Sequence, residues 1–113
     1  MMGFVGPYVL DRQPPPWIHG IGVYLLARFR RGRAVVSYVG RGRLRSRLRQ
    51  HARDRRADVF FAKRLRSEAA IVRAECELFH EQLLQTRLDN RIHPAVPAGE
   101  RCLKCGASAT ARR

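Results

Sequence analysis

Two apolar runs, Ile21-Gly22-Val23-Tyr24-Leu25-Leu26 and Ala34-Val35-Val36-Ser37-Tyr38-Val39, flank the polar stretch Arg30-Arg31-Gly32-Arg33. β-Branched and aromatic residues make up half of the first run and most of the second. They predict two strands, about Ile21 to Phe29 and Ala34 to Val39, closed into a hairpin with Gly32 in the turn. The period then changes. Leu44, Arg47, Leu48 and His51 recur at i, i+3, i+4 and i+7, which predicts a helix over about Leu44 to Asp54. An arginine and a histidine share the helix face that carries the leucines.

Val59-Phe60-Phe61-Ala62 predicts a third strand. Ser67 can cap a second helix, with Glu68 in its first turn, that runs to about Leu84. Leu88 to Pro97 reads as a loop holding Asn90 and His93-Pro94. Ahead of the hairpin, Gly3, Gly6, Pro7 and Pro14-Pro15-Pro16 predict an extended lead-in that ends at Trp17, expected to pack on the domain edge, and Ile18. The expected architecture is a small α/β (α+β) domain of order β-β-α-β-α, with an antiparallel three-stranded sheet flanked by helices. Its organisation is a Pro-rich extension over residues 1–19, a folded domain over 20–97 and a CxxC-bearing tail over 98–113.

Charge changes this picture more than length does. At 113 residues the chain has room for one modest core, but 23 basic against 9 acidic residues leave a net charge of +14. That excess favours a polyanionic partner, with nucleic acid first among them. Only Lys63 and Lys104 are lysines, so the excess is guanidinium, suited to bidentate phosphate contact; a GC-rich genome would also favour arginine over lysine. Arg45, Arg49 and Arg53 form one helical stripe, and Arg41, Arg43 and Arg45 crowd the positive end of the same helix. A solvated charged face is the bland reading, and an anion bound there is the functional one. No stretch reads as an export signal or a membrane span, and the sparse cysteines suit a reducing compartment, so a cytoplasmic location is expected.

Two glutamates of the second helix differ in their neighbours. Glu75 has Ile71, Val72, Leu78 and Phe79 one turn away, all apolar, whereas Glu77 has Arg73, Ala74, His80 and Glu81. Glu75 therefore faces the core and either needs a cation, Arg47 in an ion pair or a metal ion, or must take up a proton. The cysteines form a separate set. Cys76 and His80 are i and i+4 on that helix, and Cys102-Leu103-Lys104-Cys105-Gly106 has the spacing of a zinc knuckle, so the four make a Cys3His set for structural Zn2+. A small buried Cys76, a surface His80 and an idle CxxC are the alternative.

Gly22-Val23-Tyr24, Tyr38-Val39-Gly40, Leu44-x-x-Arg47-Leu48-x-x-His51, Glu75 and Asn90, in that order, resemble the GIY-YIG nucleases over roughly residues 20 to 95. The thirteen residues between Tyr24 and Tyr38 form a slightly longer gap than is usual there, which a longer hairpin turn would absorb. The resemblance implies a metal-dependent endonuclease that hydrolyses phosphodiester bonds. Tyr24 would be the base and Tyr38 its neighbour. Arg47 would steady the phosphate, His51 assist, Glu75 bind Mg2+ or Mn2+, and Asn90 fix the metal ligand. A phenol has a reference pKa near 10, so a basic role for Tyr24 calls for nearby cations to lower it. DNA is the expected substrate. RNA, or a nucleic-acid-binding module that does not cut and carries a zinc tail, are the competing readings.

Overall fold

A computed structural model describes residues 3–89 together with Pro94, Val96, Cys102 and Cys105. The described residues form β1 (Val5–Val9), β2 (Ile21–Arg30), β3 (Arg33–Arg43), α1 (Leu44–Arg53), β4 (Val59–Arg64) and α2 (Glu68–Leu83). The strands make one antiparallel sheet in the order β1-β4-β2-β3.

The sheet thus has four strands where three were expected, and the order is β-β-β-α-β-α. The added strand lies inside the segment read as an extended lead-in. Val5, Tyr8 and Val9 pair with Ala62, Phe60 and Val59, and the register shifts between Val5 and Tyr8, where Gly6 and Pro7 fall. Proline has no N–H for a ladder, which an edge strand tolerates, and β1 is an edge. Tyr8 then packs against the rings of Phe60 and Trp17, each with centroids 5.8 Å away. Trp17 keeps 56% of its surface exposed despite that contact.

β2 is the centre of the molecule because it pairs on both sides, with β3 and with β4. Its residues Val23 to Ala27 are each no more than 1% exposed. Side chains alternate across a strand, so Tyr24 and Leu26 pack with Leu44, Leu48 and Phe60, while Val23 and Leu25 pack with Val39, Ile71 and Phe79. The result is three layers, α1, sheet and α2. A strand covered on both faces reads as a continuous apolar run, as β2 does.

The hairpin closes through Arg31 and Gly32, both at positive φ (53° and 78°), a two-residue turn of the kind that matches strand twist. β3 continues four residues past the expected end at Val39, because Ile21, Gly22 and Val23 pair with Arg43, Gly42 and Arg41. α2 begins as expected, with the Ser67 hydroxyl accepting from the Ala70 N–H at 3.1 Å. Beyond α2 the chain is laid along β3: the Thr86 hydroxyl donates to the Val36 carbonyl and the Asp89 N–H to that of Ser37. Arg28 closes the arrangement with a two-pronged ion pair to Asp89, at 2.8 and 3.3 Å.

Candidate active site

Tyr24 lies opposite Gly40 in the β2–β3 ladder. A Cβ at position 40 would collide with the Tyr24 phenol, so glycine is what lets the ring cross over the neighbouring strand. From there the Tyr24 hydroxyl reaches His51 Nε2 at 2.8 Å. Tyr38 stacks on Tyr24, with centroids 6.2 Å apart and planes within 13°, and its ring lies 4.8 Å from that of His51. Two strands and α1 therefore converge on a group of three rings, Tyr24 and His51 buried and Tyr38 half-buried.

The electrostatics of that group differ from expectation. Burial raises the pKa of Tyr24 well above its usual value, and the neighbouring Tyr38 raises it further; Arg47 pulls the other way and is outweighed. The cations of α1 do not turn Tyr24 into a ready phenolate. His51 moves downward from its usual value, first through burial and then through the Arg56 and Arg47 charges, with Asp54 opposing. It is a neutral imidazole at physiological pH, able to accept the Tyr24 proton at Nε2. Its Nδ1 has no hydrogen-bond partner among the described residues.

Arg47 is exposed. Leu44, Leu48 and His51 take the buried stripe of α1, and the Arg47 side chain runs beside Gly42 at the stripe's margin. Glu75 is 7% exposed and Glu77 half-buried, as their neighbours indicated. The cation beside Glu75 is Arg41, with Nη1 3.3 Å from Oε1. Arg47 does not make the ion pair weighed from the sequence. The reason is topological: Arg41, two residues past Val39, emerges on the α2 side of the sheet, whereas Arg47 belongs to α1 on the other side. Glu75 nonetheless acts on Tyr24 electrostatically, as does Arg47. Tyr24, Tyr38 and His51 are thus in contact, while Arg47 and Glu75, from opposite sides of the sheet, reach Tyr24 through their charges. Asn90 lies outside the described residues.

The five arginines expected to meet phosphate divide. Arg43, Arg49 and Arg53 are exposed, the last donating to Gln50 Oε1 at 2.7 Å. Arg41 is turned toward Glu75. Arg45 donates from Nη1 to the carbonyls of Pro14, Pro15 and Ile18, at 3.2, 2.8 and 3.2 Å, so it fastens the proline run to α1. A cleft of about 390 Å³ opens at this end of α1, lined by Gly20, Ile21, Arg43, Arg45 and Ser46.

A second cluster sits on α2. The ligand atoms of His80, Cys102 and Cys105 all lie within 4.8 Å of one another, so the three can hold a metal ion. Cys76 adjoins them: burial, and then the neighbouring Cys102 thiol, push its thiol up to about 12.

Comparison of the chain with protein-family models, with curated proteins and with solved structures finds no match. No helix among the described residues is long and apolar enough to cross a membrane. Three features escaped sequence reasoning: β1, the Arg41–Glu75 pair and the Arg28–Asp89 clamp. The first had a signal in Val5, Tyr8 and Val9, and the second in the alternation of Val39 with Arg41. The third, between residues 61 apart, had none.

Proposed function

We propose that the chain is a divalent-metal-dependent endonuclease that hydrolyses phosphodiester bonds in DNA, as its resemblance to the GIY-YIG nucleases implies. The observation that carries this reading is the buried Tyr24–His51 hydrogen bond of 2.8 Å, beside Tyr38 and under the influence of Arg47 and Glu75. A proton-transfer pair, a cation for developing charge and a carboxylate are what phosphodiester hydrolysis needs close together.

Tyr24 is held as a phenol, so it takes a proton from water only as it passes its own to His51. The neutral His51 Nε2 is the acceptor for that proton, at a cost, because burial and the Arg56 and Arg47 charges disfavour the imidazolium. Tyr38 stacks on Tyr24 and holds its ring in register with the imidazole. Arg47, exposed and coupled to both, meets the phosphate oxygen on which charge accumulates. Glu75 would hold Mg2+ or Mn2+. A single buried carboxylate suits such an ion, which keeps waters and completes its shell from substrate phosphates. When bound, the ion supplies polarisation of the scissile phosphate. Asn90 retains the role its resemblance implies, support of the metal ligand.

The Arg41–Glu75 ion pair favours one second reading, a nucleic-acid-binding module that does not cut, because a guanidinium already balances the carboxylate. Supercoiled plasmid separates the two. Nicking that requires Mg2+ or Mn2+, stops with EDTA and is lost in Glu75→Ala and Arg47→Ala is the expected result. Retardation of DNA by the native chain without nicking in any metal gives the case to the binding module.

A further inference from the structure

The small third cluster of the core, Val72, Cys76, Val96 and Cys102, joins two residues of α2 to two from the segment beyond residue 90. Around them converge donors of one chemical character. His80 and Cys102, 22 residues apart in sequence, approach to 3.5 Å between Nε2 and Sγ. Bonds of about 2.0 Å to nitrogen and about 2.3 Å to sulfur at a tetrahedral centre put such atoms about 3.5 Å apart. Cys105 closes the trio within 4.8 Å, and Cys76, one turn before His80 on α2, lies against Cys102.

We infer that Cys76, His80, Cys102 and Cys105 bind a structural zinc ion that fastens the C-terminal segment to α2, whether or not the chain is a nuclease. Thiolates and an imidazole select Zn2+ over Mg2+, which takes oxygen ligands, so the two metals sort to different sites. With Cys76, which lies beside Cys102 but outside the mutual 4.8 Å of the other three, as the fourth ligand, no open position is left, the mark of a structural centre. All three cysteines of the chain enter it, and none is left for a disulfide. Glu75 and Cys76 are consecutive residues of α2, so the zinc also braces the turn that carries the carboxylate.

The test reads metal directly. Chain purified under reducing conditions is expected to carry about one zinc ion per molecule by mass spectrometry of the elements. Exchange for Co2+ should give the thiolate-to-metal charge-transfer band and the strong visible bands of a tetrahedral site. Cys105→Ser removes an exposed ligand without touching the core, and it should lose the metal while keeping the native far-ultraviolet dichroism. Zinc removal should also open the C-terminal segment to trypsin while α2 stays protected. Failure to take up Zn2+ or Co2+, or retention of metal by both Cys105→Ser and His80→Asn, overturns the site. A charge-transfer band lowered by about a third in Cys76→Ser fits three thiolates, and an undiminished band removes Cys76 from the set. Glu75→Ala, which ends the proposed nicking, should keep its zinc, so the two proposals fail separately.

Discussion

Tyr24 and His51 share one hydrogen bond, and burial drives each toward its neutral form. For His51 this is a statement about stability. The unfolded histidine titrates near 6.5, and the folded one only at lower pH, because burial and the charges of Arg56 and Arg47 oppose a further positive charge more than Asp54 invites it. Between those two values the unfolded chain binds the proton that the folded chain refuses. The stabilisation is therefore complete above about pH 6.5 and is lost as pH falls through the lower folded value. Thermal melts of the native chain should show Tm level above about pH 6.5 and falling below it, with a shallower fall in His51→Gln. Equal slopes in the two proteins would show that His51 is not the group responsible. Nicking should follow the same direction, because a protonated Nε2 can no longer accept from Tyr24.

At the scale of elements, α1 does more than carry a basic face. It starts without a side-chain cap, at Arg43, and has no acidic residue in its first turn, while Arg53 sits favourably at its other end. What ties its first turn to the domain is Arg45, through three carbonyls of the proline run. Arg45→Ala should destabilise the fold by about 1.5–3 kcal/mol, the range for hydrogen bonds to a charged group. Denaturant melts would measure that loss, and amide exchange at Ile18 would locate it. The contrast with Arg49→Ala is diagnostic. That side chain is exposed and shares the α1 stripe, so its loss should weaken DNA binding and leave the melting midpoint in place. An unchanged midpoint for Arg45→Ala would mean that the lead-in is held by β1 alone.

At the scale of the whole molecule, a net charge of +14 on 113 residues should dominate the encounter with DNA. Binding measured across a salt series should weaken steeply, with log K linear in log salt, and each arginine removed from a phosphate contact should lower the slope by about 1. Affinity indifferent to salt would exclude phosphate contact as the main term. The sequence by itself determined whatever depends on near neighbours. The β2 and β3 runs show as β-branched and aromatic stretches, α1 and α2 as three-to-four-residue periods, and the burial of Glu75 rather than Glu77 as a matter of residues one turn away. Only the tertiary structure decided what passes between elements. Sheet pairing drew Val5–Val9 into the fold and carried β3 on to Arg43, which set Arg41 rather than Arg47 beside Glu75. Burial under α1 raised the Tyr24 pKa that the arginine count alone would have lowered. Periodicity records which face of an element is covered, whereas the partner that covers it, and the dielectric it creates, come from residues distant in the chain.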